Sequence, residues 1–181
     1  MFFIALLLIA LLPSAHATTL QRFGLEELVH NAERIVVAVC QKSESVLVNG
    51  RIYTHYSFTI GETVKGNGKQ TLELHLPGGQ SQGLQSRIAG MPTFAVGEEI
   101  VLFLTEKNQL GHAWPVGLGQ GTFRIERSED QAARVYQNLD GLSFYEGAAK
   151  RAKAEEPIQG SKIGIFLERL RALDKATPHA H

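Results

Sequence analysis

The sequence predicts a mainly β domain, either a small Greek-key barrel or a sandwich, with a short N-terminal helix and a C-terminal amphipathic helix. Many short stretches alternate apolar and polar residues or consist of β-formers, as strands do. Turn residues separate these stretches, and Gly is frequent at 18 of 181 residues. Only two segments have helical spacing, so an all-β architecture with few helices is the expected class.

The first 17 residues are predicted to be a cleavable secretory signal peptide. Residues 2–12 are all apolar, and Ala15-His16-Ala17 supplies the small-x-small pattern that signal peptidase requires. This apolar core is shorter than the ~20 residues of a spanning helix, and no later segment approaches that length. No Lys or Arg precedes the core, so an uncleaved membrane anchor is the alternative. We expect a mature chain that starts near Thr18, is periplasmic or secreted, and has no stable membrane insertion after cleavage.

Charge and cysteine content narrow the function classes. Lys plus Arg and Asp plus Glu both number 18, so there is no basic field to attract nucleic acid, and no nucleic-acid partner is expected. Cys40 is the single cysteine, which excludes an intramolecular disulfide. It follows the apolar run 35–39, so we expect a buried and inert thiol, with pairing to another chain as the alternative.

Local patterns predict the elements of the first half. Helical spacing indicates a short helix from Leu25 to Val29. Residues 35–39 form an unbroken run of β-formers, which is typical of a strand buried on both faces. Asn49-Gly50 predicts a hairpin turn, and Lys65–Lys69 a second turn. The strands beside these turns alternate, with an inward set of Ile52, Thr54, Tyr56, Phe58, Ile60, Leu72, Leu74 and Leu76.

The second half begins with residues 77–97, an irregular stretch rich in Gly, Gln and Ser. A loop of this length in a compact domain is often functional. Later strands are expected at 100–104, at 112–116 with Pro115 indicating an edge, and at 121–126 paired with 134–136. Residues 18–145 would form the β domain and 146–181 a linker and a helix. Ser161 is the expected helix cap, and the apolar stripe is Ile163, Phe166, Leu167, Leu170 and Leu173.

No catalytic or metal-binding constellation emerges from the sequence. His55 and His75 lie on outer strand faces and His112 precedes Trp114, so a His cluster on one face that binds Zn or Cu is an alternative. No pair has metal-site spacing, and no metal is predicted. There is no Gly-x-Ser-x-Gly nucleophile motif. The glycine-rich run 117–121 lacks the Lys-Ser/Thr of a phosphate loop and opens a strand instead of a helix. No cofactor is therefore expected.

Several short segments resemble a group of small exported bacterial proteins of unknown activity. The matching segments are Ala32–Val39, Gly50–Thr54, Val64-Lys65-Gly66, Pro77-Gly78-Gly79, Met91-Pro92, Phe94–Glu99, Gly119-Gln120-Gly121 and Phe123-Arg124-Ile125. The resemblance implies a shared fold without a known reaction. The strand order also resembles, more weakly, the OB-like barrel of tissue inhibitors of metalloproteinases and netrin-like modules. Those inhibitors use an N-terminal Cys and several disulfides, both of which this chain lacks, so protease inhibition is an analogy of fold only.

The leading functional hypothesis is an exported, non-enzymatic binding module that engages a partner protein, with an extracytoplasmic protease as the candidate class. The expected binding residues lie in the loop at 77–97: Gly78, Gly79, Arg87, Met91 and Pro92. One alternative is an envelope enzyme acting on glycan or peptide, with Arg87 or His112 involved. A second alternative is a structural or assembly protein that uses its C-terminal helix.

Overall fold

The computed structural model describes residues 19–128, 131–139, 142–144 and 158–176. These residues form strands β1–β11, helices α1 and α2, and one short 3-10 turn. The predicted signal peptide and most of the predicted linker lie outside the described residues. The bounds in chain order are β1 Thr19–Leu20, α1 Leu25–Asn31, β2 Arg34–Val48, β3 Arg51–Lys65, β4 Thr71–Pro77, β5 Gly79–Ser81, β6 Leu84–Ser86, β7 Glu99–Leu104, the 3-10 turn Leu118–Gly121, β8 Thr122–Ser128, β9 Gln131–Gln137, β10 Ser143–Phe144, β11 Gln159–Lys162 and α2 Ile163–Ala176.

The main sheet has seven antiparallel strands in the order β11-β9-β8-β7-β2-β3-β4. Two three-stranded meanders, β2-β3-β4 and β7-β8-β9, are joined where the first half of β2 pairs with β7. The prediction of a mainly β fold is confirmed. Strands β11 and β4 end the order, and no strand pair within the described ranges joins them into a closed barrel.

The two faces of the sheet carry separate hydrophobic cores. Ile35 and Val37 of β2 belong to one core, which lies under the two helices. Val36 and Ala38 belong to the other core, which the meander β2-β3-β4 encloses. Strand β7 is divided in the same way, with all of Ile100–Leu104 buried. The prediction that both runs are buried on two faces is confirmed, because each strand separates two cores.

The hairpin predictions in the first meander are also confirmed. Val48 pairs with Arg51 across the Asn49-Gly50 turn, whose residues have φ of 50° and 75°. These positive values are typical of the turn that matches the twist of a two-residue hairpin. Of the predicted inward residues, all but the partly buried Ile60 are buried.

Helix α2 covers the first core with its apolar stripe. Phe166, Leu167 and Leu170 are buried there, and Phe123 of β8 packs between Phe166 and Phe103 at ring distances of 5.0 and 5.3 Å. Three charged contacts hold the helix end and α1 near β3: Arg171 with Glu62, Lys65 with Asp174 at 3.6 Å, and Lys65 Nζ donating to the Val29 carbonyl at 2.9 Å. Among the described helices, none is long and apolar enough to cross a membrane.

Three local predictions need correction. Residues 112–116 are not a strand: among the described residues Pro115 forms an isolated bridge with Leu104, held by the Thr105 N–H to Trp114 carbonyl bond and the Val116 N–H to Phe103 carbonyl bond. The bridge is not extended because the chain turns on both sides of it, at Gly111 and Gly117, which have positive φ. Gln159 and Gly160 were expected in the linker, but together with Ser161 and Lys162 they form β11 against β9. Ser161 therefore lies within β11, two residues before helix α2, and is not its cap.

Three glutamine side chains, of which Gln120 and Gln137 are buried, tie the N-terminal segment and β11 to the sheet. Gln120 is 1% exposed; its Oε1 accepts from the Phe23 N–H at 2.8 Å and its Nε2 donates to the Gln21 carbonyl at 2.9 Å. Gln137 Nε2 donates to the Gln120 carbonyl, and Gln159 Nε2 donates to the Gln137 carbonyl. The three glutamines thus link the N-terminal segment, β9 and β11.

Candidate functional site

Three adjoining cavities surround the chain between Pro77 and Phe94, and together we call them the hairpin groove. The first, of about 530 Å³, lies between the tip of the β2–β3 hairpin and β6. The second, of about 430 Å³, lies between residues 87–94 and β8. A smaller cavity of about 100 Å³ connects them, since it shares lining residues with both. A groove of this kind suits an elongated ligand better than a compact one.

The groove begins at a close approach of Gly78 and Gly79 to the hydroxyls of Thr54 and Ser45. Thr54 Oγ1 donates to the Gly78 carbonyl at 2.8 Å and lies 2.9 Å from Ser45 Oγ. Gly78 N–H donates to the Ile52 carbonyl at 2.8 Å. Gly79 has φ of +127°, and a Cβ there would overlap both hydroxyl oxygens. Only glycine fits this position, which we call the Gly79 seat.

A small hairpin, made of β5 and β6, begins at the Gly79 seat. Its two-residue turn, Gln82-Gly83, has φ of 52° and 76°, and Ser81 pairs with Leu84 beside it. This hairpin was missed within the predicted loop. Leu84 is 56% exposed and Ile88, just beyond β6, is 42% exposed. The hairpin therefore presents apolar side chains to solvent at the groove.

The remainder of the loop is anchored in the second core. Phe94 is buried, and its ring meets Tyr56 and Phe58 edge-on at 5.1 and 5.4 Å. Met91 packs against the same core. The Gly97 N–H donates to the Cys40 carbonyl at 2.8 Å, and the Cys40 N–H donates to the Glu98 carbonyl at 2.9 Å. Both ends of residues 77–98 are thus fixed, so the groove is preformed.

The groove carries an excess of positive charge among its lining residues. In the second cavity Arg124 Nε lies 2.7 Å from Glu98 Oε1, which neutralises that pair. Of the described residues that line the first cavity only Arg51 is charged, and Arg87 lines the other two cavities. Within the described ranges neither Arg51 nor Arg87 forms an ion pair. The positive charges of Arg51 and Arg87 therefore favour an anionic group on the ligand.

The five predicted binding residues all line the connecting cavity. Their roles differ: Gly78 and Gly79 shape the backbone, Met91 anchors the loop, and only Arg87 is exposed and offers a charged group. Pro92 is partly buried on the wall. The prediction missed Arg51, Leu84 and Ile88. Turn residues at 49–50 and 82–83 form the bends of the two hairpins. Arg51, Leu84 and Ile88 become neighbours only when both hairpins are folded.

A second cluster, the histidine stack, joins His55, His75 and His112. The rings of His55 and His75, which are partners across β3 and β4, lie 4.1 Å apart, and the His112 ring stacks on His75 at 4.3 Å. Within the described part of the chain, no three His, Cys, Asp or Glu side chains are arranged to hold a metal ion. The planes of His75 and His112 are stacked at 24° to each other, whereas the His55 ring is tilted by 35° against His75.

Burial lowers the pKa of His75 below its usual value, and the neighbouring His55 and His112 lower it further, while Glu73 opposes the shift. The folded state therefore takes up this proton at lower pH than the unfolded chain, and stability falls as pH drops below about 6.5. We expect NMR titration to place His75 below that value, and His112→Ala to raise its pKa because the substitution removes one burying ring and one like charge. A His75 titration above pH 6.5 would contradict this reading.

Cys40 is buried, as predicted, at 1% exposure. Burial raises the pKa of its thiol, a hydrogen bond with the Lys42 backbone lowers it, and the nearby Glu98 charge raises it again. The thiol is thus protonated and shielded rather than poised as a nucleophile.

Comparisons with protein-family models, with curated proteins and with solved structures found no match. The assignment of function therefore depends on the geometry of this chain alone.

Proposed function

We propose that this protein is an exported, non-enzymatic binding module whose hairpin groove engages a partner protein. The observation that carries the proposal is the groove itself: a preformed channel with exposed apolar side chains and two arginines without ion pairs beside it. Binding sites typically combine apolar walls with a few fixed polar groups that orient the ligand. Export, a Greek-key OB-like barrel and a protease as the partner class are finer parts of the same proposal. Export rests on the predicted signal peptide, and the barrel and the protease class rest on the sequence resemblance.

The lining residues favour binding over proton-transfer chemistry. Among the described residues that line the three cavities there is no His, Cys, Asp or Lys, and the one Glu is Glu98, held by Arg124. The other acid–base side chains are Tyr53 and the buried Tyr56, and burial raises the pKa of Tyr56. An acid–base mechanism needs a titratable group within reach of the reacting atom. The groove instead offers apolar surface and fixed positive charge, which are means of recognition.

The assembly alternative has less support than the groove. The apolar stripe of α2 packs on the chain's own sheet, where Phe166, Leu167 and Leu170 are buried. Ile165 is the large apolar residue of α2 that stays exposed, at 62%. A single exposed side chain is ordinary on a protein surface and does not make an interface.

Site-specific photo-cross-linking tests the proposal. A benzoylphenylalanine is placed at Leu84, at Ile88 or, as the matched control, at the equally exposed Ile165. The purified variants are irradiated with the extracytoplasmic fraction of the source organism. We expect one discrete protein adduct at the two groove positions and none at the control. Adducts of equal yield at Ile165, or none at any position, would contradict the proposal.

A further inference from the structure

The free edge of β6 offers backbone groups that nothing in the described chain uses. Around a two-residue hairpin turn, the flanking residues exchange both hydrogen bonds, and the next pair exchanges none. Ser81 and Leu84 flank the turn of the β5–β6 hairpin, so Gln85 occupies the next position, opposite Gln80. The N–H and C=O of Gln85 therefore face away from β5. Within the described ranges, neither has a partner and no strand pairs with this edge.

The same rule can be checked on the larger hairpin of this chain. Val48 and Arg51 flank its two-residue turn, and Ile52 occupies the position equivalent to Gln85. The Ile52 carbonyl accepts from the Gly78 N–H at 2.8 Å, outside the β2–β3 ladder. The outward-facing groups at this position thus bind another segment of chain, as the geometry requires.

Gln85 lies on the wall of the 530 Å³ cavity, together with apolar side chains and Arg51. The apolar lining consists of Leu47, Ile52, Tyr53, Pro77, Leu84 and Ile88. An edge strand beside an apolar pocket is the arrangement that accepts an extended peptide: main-chain bonds supply affinity, and the pocket selects a side chain. The unpaired guanidinium of Arg51 adds a preference for a carboxylate in that peptide.

We propose that the partner of the hairpin groove is recognised through an extended peptide segment that pairs with the edge of β6 at Gln85. An apolar side chain of the peptide fills the 530 Å³ cavity, and a carboxylate of the peptide meets Arg51. The carboxylate comes from an acidic side chain or from a C-terminus. This inference rests on the proposed function and deepens it by stating what the partner presents.

Fluorescence anisotropy with synthetic eight-residue peptides tests the inference. The probes are an amidated peptide of alternating valine and glutamate, its valine–lysine counterpart, and a valine–serine peptide with a free C-terminal carboxylate. We expect binding by the first or the third, which separates the two carboxylate sources, and at least about tenfold weaker binding by the lysine peptide. Equal affinity for the lysine peptide would overturn the role of Arg51.

Two variants of one residue isolate the backbone pairing. Gln85→Pro removes the outward N–H without taking a bond from the β5–β6 ladder, whereas Gln85→Ala keeps it. We expect Gln85→Pro to weaken binding at least about tenfold and Gln85→Ala to leave it within about twofold. N-methylation of the peptide should weaken its binding to the wild type in the same way, which covers the case of a misfolded proline variant. Unchanged binding by both the proline variant and the methylated peptide overturns the inference.

Further controls separate the possible occupants of the groove. Arg51→Gln should weaken binding of the favoured peptide about tenfold. Lys175→Gln removes one positive charge on α2 and should have no effect. A dimer in sedimentation that Gln85→Pro dissolves would make a second copy the occupant and overturn the inference. If no peptide binds while the Leu84 and Ile88 cross-links persist, the edge pairing is wrong and the proposed function stands.

Discussion

Alanine at Gly79 is expected to lower the free energy of unfolding by about 3 kcal/mol and to displace the β5–β6 hairpin. Two costs combine. The backbone φ of +127° is strained for any residue with a Cβ, and the added methyl would overlap the hydroxyls of Thr54 and Ser45. Urea denaturation of the variant measures the loss.

Gly83→Ala is the matched control because it lies in the same hairpin. Its φ of +76° is also strained for alanine, but a Cβ there meets nothing within 4 Å. We expect it to cost about 1 kcal/mol, the strain alone. The difference between the two variants measures the Gly79 seat. Equal losses would show that the close approach to Thr54 and Ser45 does not hold the hairpin.

Phe123→Ala is expected to cost about 4 kcal/mol, since it empties a large buried volume at the centre of the first core. The side chain is fully buried, and its ring packs between Phe103 of β7 and Phe166 of α2. The cavity would separate the helix from the sheet, so we expect α2 to be the first element to lose its tertiary contacts. Urea denaturation followed by circular dichroism measures both effects.

Ile165→Ala provides the comparison, because Ile165 is on helix α2, against which Phe123 packs, and is 62% exposed. Its loss should stay within about 0.5 kcal/mol. Phe123→Leu keeps most of the volume and should fall between the two. If Phe123→Ala cost no more than Ile165→Ala, helix α2 would not be part of the first core.

Most of the fold could be predicted from the sequence, because the pattern of apolar and polar residues is a local signal of burial. The runs at 35–39 and 100–104 lack polar breaks, and the structure shows why: each strand separates two cores. The alternation from Ile52 to Leu76 likewise reports one buried and one exposed face. Both signals come from burial itself, so no knowledge of the partners across the sheet was needed.

The missed elements have weak local signals for physical reasons. Strand β11 reads Gln-Gly-Ser-Lys, a polar edge that buries no apolar side chain, and is fixed by pairing with β9 and by Gln159. The β5–β6 hairpin is similarly polar and depends on the distant Thr54 and Ser45. Tertiary contacts decide such segments, and residue pattern alone cannot report them.

The candidate site could be predicted in location but not in chemistry. The irregular stretch at 77–97 indicated where to look, and Gly78, Gly79, Arg87, Met91 and Pro92 all line the groove. Arg51 was not predicted as a neighbour of these residues, whereas the outer-face positions of His55 and His75 did indicate a possible histidine cluster. His112 lies 37 positions from His75, so only the folded chain brings those rings together.

Hydrogen exchange of the complex shows whether a partner binds along the hairpin groove. Amide exchange is measured by mass spectrometry for the chain alone and with the partner obtained by cross-linking. If the groove is the binding site, we expect slower exchange at Leu84–Ile88 and near Arg51, with no change along α2. Protection confined to α2, or to the surface around the histidine stack, would contradict it.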